Sequence, residues 1–299
     1  MRLLTFVSDD GPRAGTFVSD GTIMAIRALV PGAPIDMLRV IEQFEGIREE
    51  VREAATRAHG GLDPKRAKLL APIPVPRRSV FCVGWNYSEH FQEGANMRVA
   101  QGTTGQQEIP EYPALFSKNP ATVTGPDATV LFPSPHSEQL DWEVELAVIV
   151  GRPGNDIKEA DATQHVFGYT CANDVSVRDV QRRHGGQWFK GKNFDTHLPM
   201  GPWIVTADEL DASAVRLQTR VNGTTKQDSN TRFMVFKIPR LISEFSAGCR
   251  LQPGDIMITG TPEGVGFARK PPEFLKVGDV VEVEIEGIGV LRNRVQERT

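Results

Sequence analysis

The sequence predicts an α+β fold rich in short strands, in two parts that meet near residue 70. Three observations carry this. From Ser79 onward, short apolar runs alternate with glycine and proline turns, as in "SVFCVGWN", "EVELAVIVG", "GPWIVTA" and "VVEVEIEGIGVLRNRV". Helical periodicity is scarce. Strands and helices do not follow the regular βαβ alternation of a parallel sheet.

Taken in order, "RLLTFVS", "RAGTFVSDG" and "TIMAIRAL" read as strands separated by the turns "SDDG" and "SDG". A helix follows from about Pro34 to His59, because Met37, Leu38, Val40, Ile41, Phe44 and Ile47 recur near the helical period. "LLAPIPVPRRS" reads as an extended connector, since proline fixes φ and removes a backbone donor. Residues 1–70 are thus expected to form a small N-terminal domain and residues 71–299 a larger one. In the larger part, helices are expected near Asn86–Glu93, Ser176–His184 and Val235–Ala247, and a hairpin about "EGIG". The stretch from Glu93 to Tyr112, polar and rich in glycine and glutamine, reads as a long loop, either a lid or a surface insertion.

Composition bounds the function. With 299 residues, 39% hydrophobic and 24% charged, the chain has an ordinary globular make-up and enough length for a substantial core. A net charge of −4 argues against a general nucleic-acid binder. No apolar run approaches the roughly 18 residues that span a bilayer, so no membrane partner is expected. "MRLLTFVSDDGPRAG" lacks the long apolar segment of a secretory signal. Cys82, Cys171 and Cys249 form no CxxC pair, and a reducing cytoplasm is the expected location.

"LDWEVELAVIVG" places Asp141, Glu143 and Glu145 at every second position, hence on one face of a strand. Two readings stand: a solvated outer face, or carboxylates gathered around a cation. The strand continues as "LAVIVG", apolar on both faces, so the acids sit at the mouth of a buried strand. "GYTCANDVSVRDVQRR" adds Asp174 at a strand-to-helix junction, as a turn or capping residue or as a third oxygen ligand. In "GWNYSEHFQEG", His90 and Glu93 share a helix face, as a surface pair or as a base with its orienting carboxylate; Asn86 reads as the cap of that helix. Lys190 and Lys192 in "HGGQWFKGKNFDTHLPMGP" are solvated loop lysines or stabilisers of a developing oxyanion. The glycines of "PGDIMITGTPEGVG" make a tight turn, or let backbone N–H groups and Thr261 approach a carboxylate.

In their order, "GWNYSEHFQEG", "PALFSKNPATVTGP", "LDWEVELAVIVGR", "GYTCANDVSVRDVQ", "WFKGKNFDTHLPMGPW", "TRVNGTTKQDSNT" and "PGDIMITGTPEGVG" resemble the motifs of the fumarylacetoacetate hydrolase family, over about Ser79 to Val295. The resemblance implies a mixed β-sandwich roll, a homodimer, and a site for Mg²⁺ or Mn²⁺, with Ca²⁺ also admissible. It places Glu143, Glu145 and Asp174 as metal ligands, with Asp141 behind them or solvated. His90, Glu93 and Lys192 would be catalytic; Gln181, Thr261 and Gly260 would contact substrate. The implied activity is hydrolysis of a C–C bond in a β-diketo acid of acylpyruvate or fumarylpyruvate type. His90 and Glu93 would activate the water, while the metal and Lys192 steady the enolate. The same scaffold also implies alternatives: an oxaloacetate-type decarboxylase, or an isomerase or decarboxylase of 2-hydroxyhepta-2,4-diene-1,7-dioate. A non-catalytic, metal-binding oligomeric protein is the alternative outside enzymology. Arg182, Arg183 and His184 extend the expected pocket as readers of a second carboxylate or as a solvated basic helix end.

Overall fold

The computed structural model describes residues 1–100 and 108–298, with the backbone alone for 95–100. The chain opens with β1 (Arg2–Ser8), β2 (Gly11–Phe17) and β3 (Ile23–Ala25). The third strand is shorter than the sequence suggests, because Ile26–Leu29 turn into a short helix, α1. The long helix α2 spans Met37–Arg57, and the Asp36 side chain caps it by accepting the Arg39 N–H at 3.0 Å.

The strands β4 (Leu69–Leu70) and β5 (Val80–Gly84) come next, then α3 (Ser88–Ala100), β6 (Ala114–Lys118), β7 (Val123–Thr124) and β8 (Thr129–Leu131). The acid strand is β9 (Leu140–Asp141) and β10 (Val144–Val150), followed by β11 (Val166–Asn173) and β12 (Ser176–Val177). Two short helices, α4 (Arg178–Arg183) and α5 (Phe189–Lys192), lead into β13 (Leu198–Thr206). The chain closes with β14 (Arg216–Val221), β15 (Thr224–Asn230), α6 (Ile238–Ser246), β16 (Ile256–Ile258), β17 (Val280–Ile285) and β18 (Gly289–Gln296), the last two forming the expected hairpin.

These strands build a mixed β fold with helices. One large sheet runs in the order β3-β2-β1-β13-β11-β10-β16-β5-β6, with β4 on β1 and β7 on β13. A second sheet runs β15-β14-β17-β18-β8, and β9 pairs with β12. The expected boundary near residue 70 runs through the large sheet, since β1 pairs with β13, Leu3 opposite Ile204.

The alternation of β10 explains the layering. Val144, Leu146, Val148 and Val150 enter a core shared with Leu217, Val283 and Leu241 of the second sheet and α6. Ala147 and Ile149 enter the opposite core, under Val40, Ile41 and Phe44 of α2. Each fully buried aliphatic of this strand is worth about 1.5–3 kcal/mol, so its position in the sheet is firmly set. Carried toward the strand's open end, the same alternation puts Glu145 and Glu143 on the Ala147 side.

Two local expectations are corrected. Asn86 does not cap α3. It is fully buried, donates its amide to Thr259 O (2.7 Å) and Phe236 O (3.0 Å), and accepts the Phe236 N–H (2.7 Å). The helix also runs past Glu93 to Ala100, so the first part of the expected loop is helical. Residues 101–107 of that loop, read above as a lid or a surface insertion, lie outside the described residues. No helix among the described residues is long and apolar enough to cross a membrane.

Candidate metal centre and active site

The pairing of β10 with β11 builds the centre. Val144 stands opposite Asn173, and this sets Glu143 beside Asp174. The junction is tied twice: the Asp174 N–H donates to Glu143 O (2.9 Å), and the Glu143 N–H to Asn173 Oδ1 (3.0 Å). Glu143, Glu145 and Asp174 offer oxygen atoms within 4.8 Å of one another. All three are buried, as is Asp141, so the solvated-face reading of the acid strand does not hold.

Buried carboxylates need partners. Lys192 Nζ donates to Glu143 Oε2 (2.8 Å) and Asp174 Oδ2 (2.6 Å). Lys118 Nζ lies 2.8 Å from Asp174 Oδ1 and also meets the Val175 and Lys192 carbonyls. Arg178 sits between two acids, with Nε 2.7 Å from Asp141 Oδ2 and Nη1 2.7 Å from Glu143 Oε1. Its Nη2 is buried without a hydrogen-bond partner, and its guanidinium lies 4.5 Å over the Phe267 ring.

The electrostatics divide the acids. Burial pushes Glu143 up, but Lys192 and Arg178 overrule it and hold the carboxyl at about 2. Burial, and then the neighbouring Asp174 and Glu143 charges, push Glu145 well above the usual carboxylate range. Glu145 has no salt-bridge partner among the described residues; its Oε2 accepts one N–H, that of Gly260, at 2.6 Å. Counted as ionised, Asp141, Glu143, Glu145 and Asp174 exceed Lys118, Lys192 and Arg178 by one negative charge. A hard divalent cation therefore fits this oxygen donor set, and Glu145 is the carboxyl group that most lacks a positive partner.

Asp141 is neither solvated nor idle. It accepts the N–H groups of Trp142 (2.8 Å), Gly266 (2.7 Å) and Phe267 (3.0 Å) in addition to Arg178. His90 and Glu93 face each other on α3, with Nδ1 3.6 Å from Glu93 Oε2, too long for a hydrogen bond. Glu93 Oε1 accepts the Gly264 N–H at 2.9 Å, which latches α3 to the glycine-rich turn. His90 also meets the Phe267 ring edge-on at 6.4 Å, and its proximity helps lower Glu143. The pair and the carboxylates thus border one site.

The remaining expected residues fall into two groups. Near the centre, Gln181 Oε1 accepts from Arg178 Nη1 (3.1 Å), and Thr261 Oγ1 accepts from Gln227 Nε2 (2.9 Å). The Gly260 N–H is engaged by Glu145, and φ there is 93°, a conformation that favours glycine. At the surface, Arg182 is exposed and bonds Gln139, Arg183 pairs with Asp179, His184 is exposed, and the exposed Lys190 lies over the Phe194 ring.

Sequence reasoning missed three residues. On sequence alone Lys118 could be a substrate contact or a surface lysine; it is fully buried on Asp174, and its position at the end of the apolar run "ALFSK" is the available signal. Arg178 follows Asp174 by four residues and was not singled out. Gln227, in the polar run "TTKQDSN", is buried; it accepts the Val144 N–H (3.0 Å) and donates to Pro262 O (2.9 Å), tying β10 to the glycine-rich turn.

Gly191 lets α5 approach α4. A Cβ there would lie 2.4 Å from Gln181 backbone atoms. Gly191→Ala is expected to push Lys192 out of register and to destabilise the fold by about 1–3 kcal/mol, the usual range for overpacking, read as a lower urea midpoint with an unchanged slope. An unchanged midpoint would show that the contact yields freely.

Comparison with known proteins follows the same geometry. Residues 79–296 match the family model described as fumarylacetoacetate (FAA) hydrolase C-terminal. The chain is 42% identical over 300 residues to the mitochondrial oxaloacetate tautomerase FAHD2A of Bos taurus, covering 99% of this chain and 91% of that one. It is 39% identical over 272 residues to oxaloacetate tautomerase YisK of Bacillus subtilis, covering 89% and 87%. Among solved structures, maleylpyruvate hydrolase from Sphingobium sp. SYK-6, in complex with manganese (II) ion and pyruvate, superposes with a TM-score of 0.79 at 32% identity, covering 100% of both chains.

Proposed function

Because the chain belongs to the fumarylacetoacetate hydrolase family, we propose that it is a divalent-metal enzyme interconverting the keto and enol forms of oxaloacetate. One observation supports this over C–C bond hydrolysis: two relatives, 42% identical from an animal and 39% identical from a bacterium, are both named oxaloacetate tautomerases, while the maleylpyruvate hydrolase stands at 32%. The reading therefore moves from the hydrolase implied by the motifs toward the oxaloacetate and isomerase alternatives.

Glu143, Glu145 and Asp174 would hold Mg²⁺ or Mn²⁺. When bound, such a cation would act as a Lewis acid on the 2-oxo group and favour the enolate. The chain's residues supply the rest. Tautomerisation breaks the C3–H bond, moves its electron pair into C2=C3, and places a proton on the C2 oxygen. Glu93 faces His90 Nδ1, which leaves Nε2 as the atom that takes the C3 proton and delivers it to the C2 oxygen, and that carries it back in the reverse direction. Arg178 Nη2, buried and unpartnered, is the donor for a substrate carboxylate. Lys192 steadies Glu143 and Asp174 while negative charge builds on the substrate oxygen.

The test follows enol oxaloacetate by its ultraviolet absorbance, with Mg²⁺ or Mn²⁺ and with chelator, beside a pyruvate assay. The expected result is enol loss above the metal-only rate without pyruvate release. No acceleration, or pyruvate formed in step with enol loss, would sink the tautomerase reading. A second reading keeps C–C hydrolysis of acylpyruvates. The likeness to a maleylpyruvate hydrolase and the His90–Glu93 pair support it, and cleavage of an acylpyruvate to pyruvate plus the free acid would favour it.

A further inference from the structure

We propose that Asp141, the acid of "LDWEVEL" left over once the three ligands are assigned, is a positioning residue that sets the charge of the metal centre through Arg178. The proposal rests on the metal reading above.

Asp141, Glu143, Glu145 and Asp174 share one buried region with Lys118, Lys192 and Arg178. Counted with all four carboxyls ionised, as a bound cation would require, the group carries one net negative charge; with the Asp141 charge removed it is neutral. Arg178 is the pivot, because its guanidinium is divided between Asp141 Oδ2 and Glu143 Oε1, each at 2.7 Å. A guanidinium shared between two carboxylates leaves Glu143 part of its charge for a third partner. Without the Asp141 charge, Arg178 would belong to Glu143 alone, and a cation would have to compete with it for that ligand. Burial makes this competition strong, because the interior screens charge poorly.

Geometry points the same way. Asp141 also accepts the Gly266 and Phe267 N–H groups, and a Cβ on Gly266 would lie 2.6 Å from Asp141 Oδ1. The turn is pressed against the carboxylate. It carries Phe267, whose ring lies 4.5 Å from the Arg178 guanidinium and meets the His90 ring edge-on at 6.4 Å. One carboxylate thus reaches the carboxylate cluster through Arg178 and the His90 side through the turn that carries Phe267.

The experiment measures Mn²⁺ affinity by titration calorimetry, and melting in chelator, for wild type, Asp141→Asn and Asp141→Asn/Arg178→Gln. Asp141→Asn is expected to bind Mn²⁺ roughly tenfold or more weakly. The double variant restores the single net negative charge and is expected to recover to within about threefold of wild type. An unchanged affinity in the single variant, or a double variant as weak as the single, would overturn the proposal. Should the single variant fail to melt cooperatively, the double variant decides alone. Its Asn and Gln can bond each other; recovery to within about threefold supports the proposal and a loss of about tenfold overturns it. Wild-type protein that binds no Mn²⁺ would instead bring down the metal reading itself.

Discussion

Replacing Glu145 by glutamine is expected to cost about 10³-fold or more in metal-dependent turnover, since the Lewis acid supplies several kcal/mol and each 1.36 kcal/mol is tenfold. The same change is expected to stabilise the protein when no metal is present. Of the three converging carboxyls, Glu145 makes no salt bridge among the described residues, and burial with its acidic neighbours raises its pKa well above 4.5. A carboxyl whose folded pKa is raised contributes its stability in full below the unfolded value, and that contribution is lost as pH rises through the folded value. Glutamine does not titrate and can still accept the Gly260 N–H. In chelator, the variant should melt with wild type near pH 4 and above it near pH 8, while saturating Mg²⁺ should reverse that order, because only wild type gains RT ln(1 + [L]/Kd). Melting curves at the two pH values, with and without metal, check both signs. A variant less stable than wild type in chelator at the higher pH would mean that Glu145 is a structural residue.

Replacing His90 by asparagine is expected to lower kcat by about 10²- to 10⁴-fold, the usual worth of a positioned acid–base group. Mn²⁺ affinity should not change, because His90 is not among the three residues whose carboxylate oxygens converge. Enol turnover and calorimetry on the same preparation separate the two. Parallel losses in both would place His90 in the integrity of the centre; turnover that survives would leave the proton transfer to another group.

Much of the site was legible because its logic is local. Alternate side chains share a strand face, so "DWEVEL" alone aligns Glu143 with Glu145. Asp174 stands where a strand ends and a helix begins, a place that the run "CANDVSVRD" marks by itself. What stayed hidden depends on partners distant in sequence. Lys118 is buried because Asp174 waits beside it, 2.8 Å away. Asn86 has the side chain of a helix cap, but the Thr259 and Phe236 backbone groups claim it first. Gln227 sits in a run that reads as solvated, but its partners Val144, Thr219, Thr261 and Pro262 come from elsewhere in the chain. The pairing of β1 with β13 is hidden for the same reason, because nothing near residue 3 announces a partner at residue 204.

That pairing has a consequence for the newborn chain. β1 closes its hairpin with β2 at once, and Thr5 and Phe6 find β4 at Leu69–Leu70. Arg2 and Leu3 must wait for Val205 and Ile204. At about 5–20 residues per second, a ribosome needs about 10–40 s to make the intervening stretch of about 200 residues. For that interval a length of sheet edge is open to any other nascent strand. Codons that slow translation ahead of β13 would lengthen the exposure, and chaperone demand during synthesis should follow their speed rather than the stability of the finished protein.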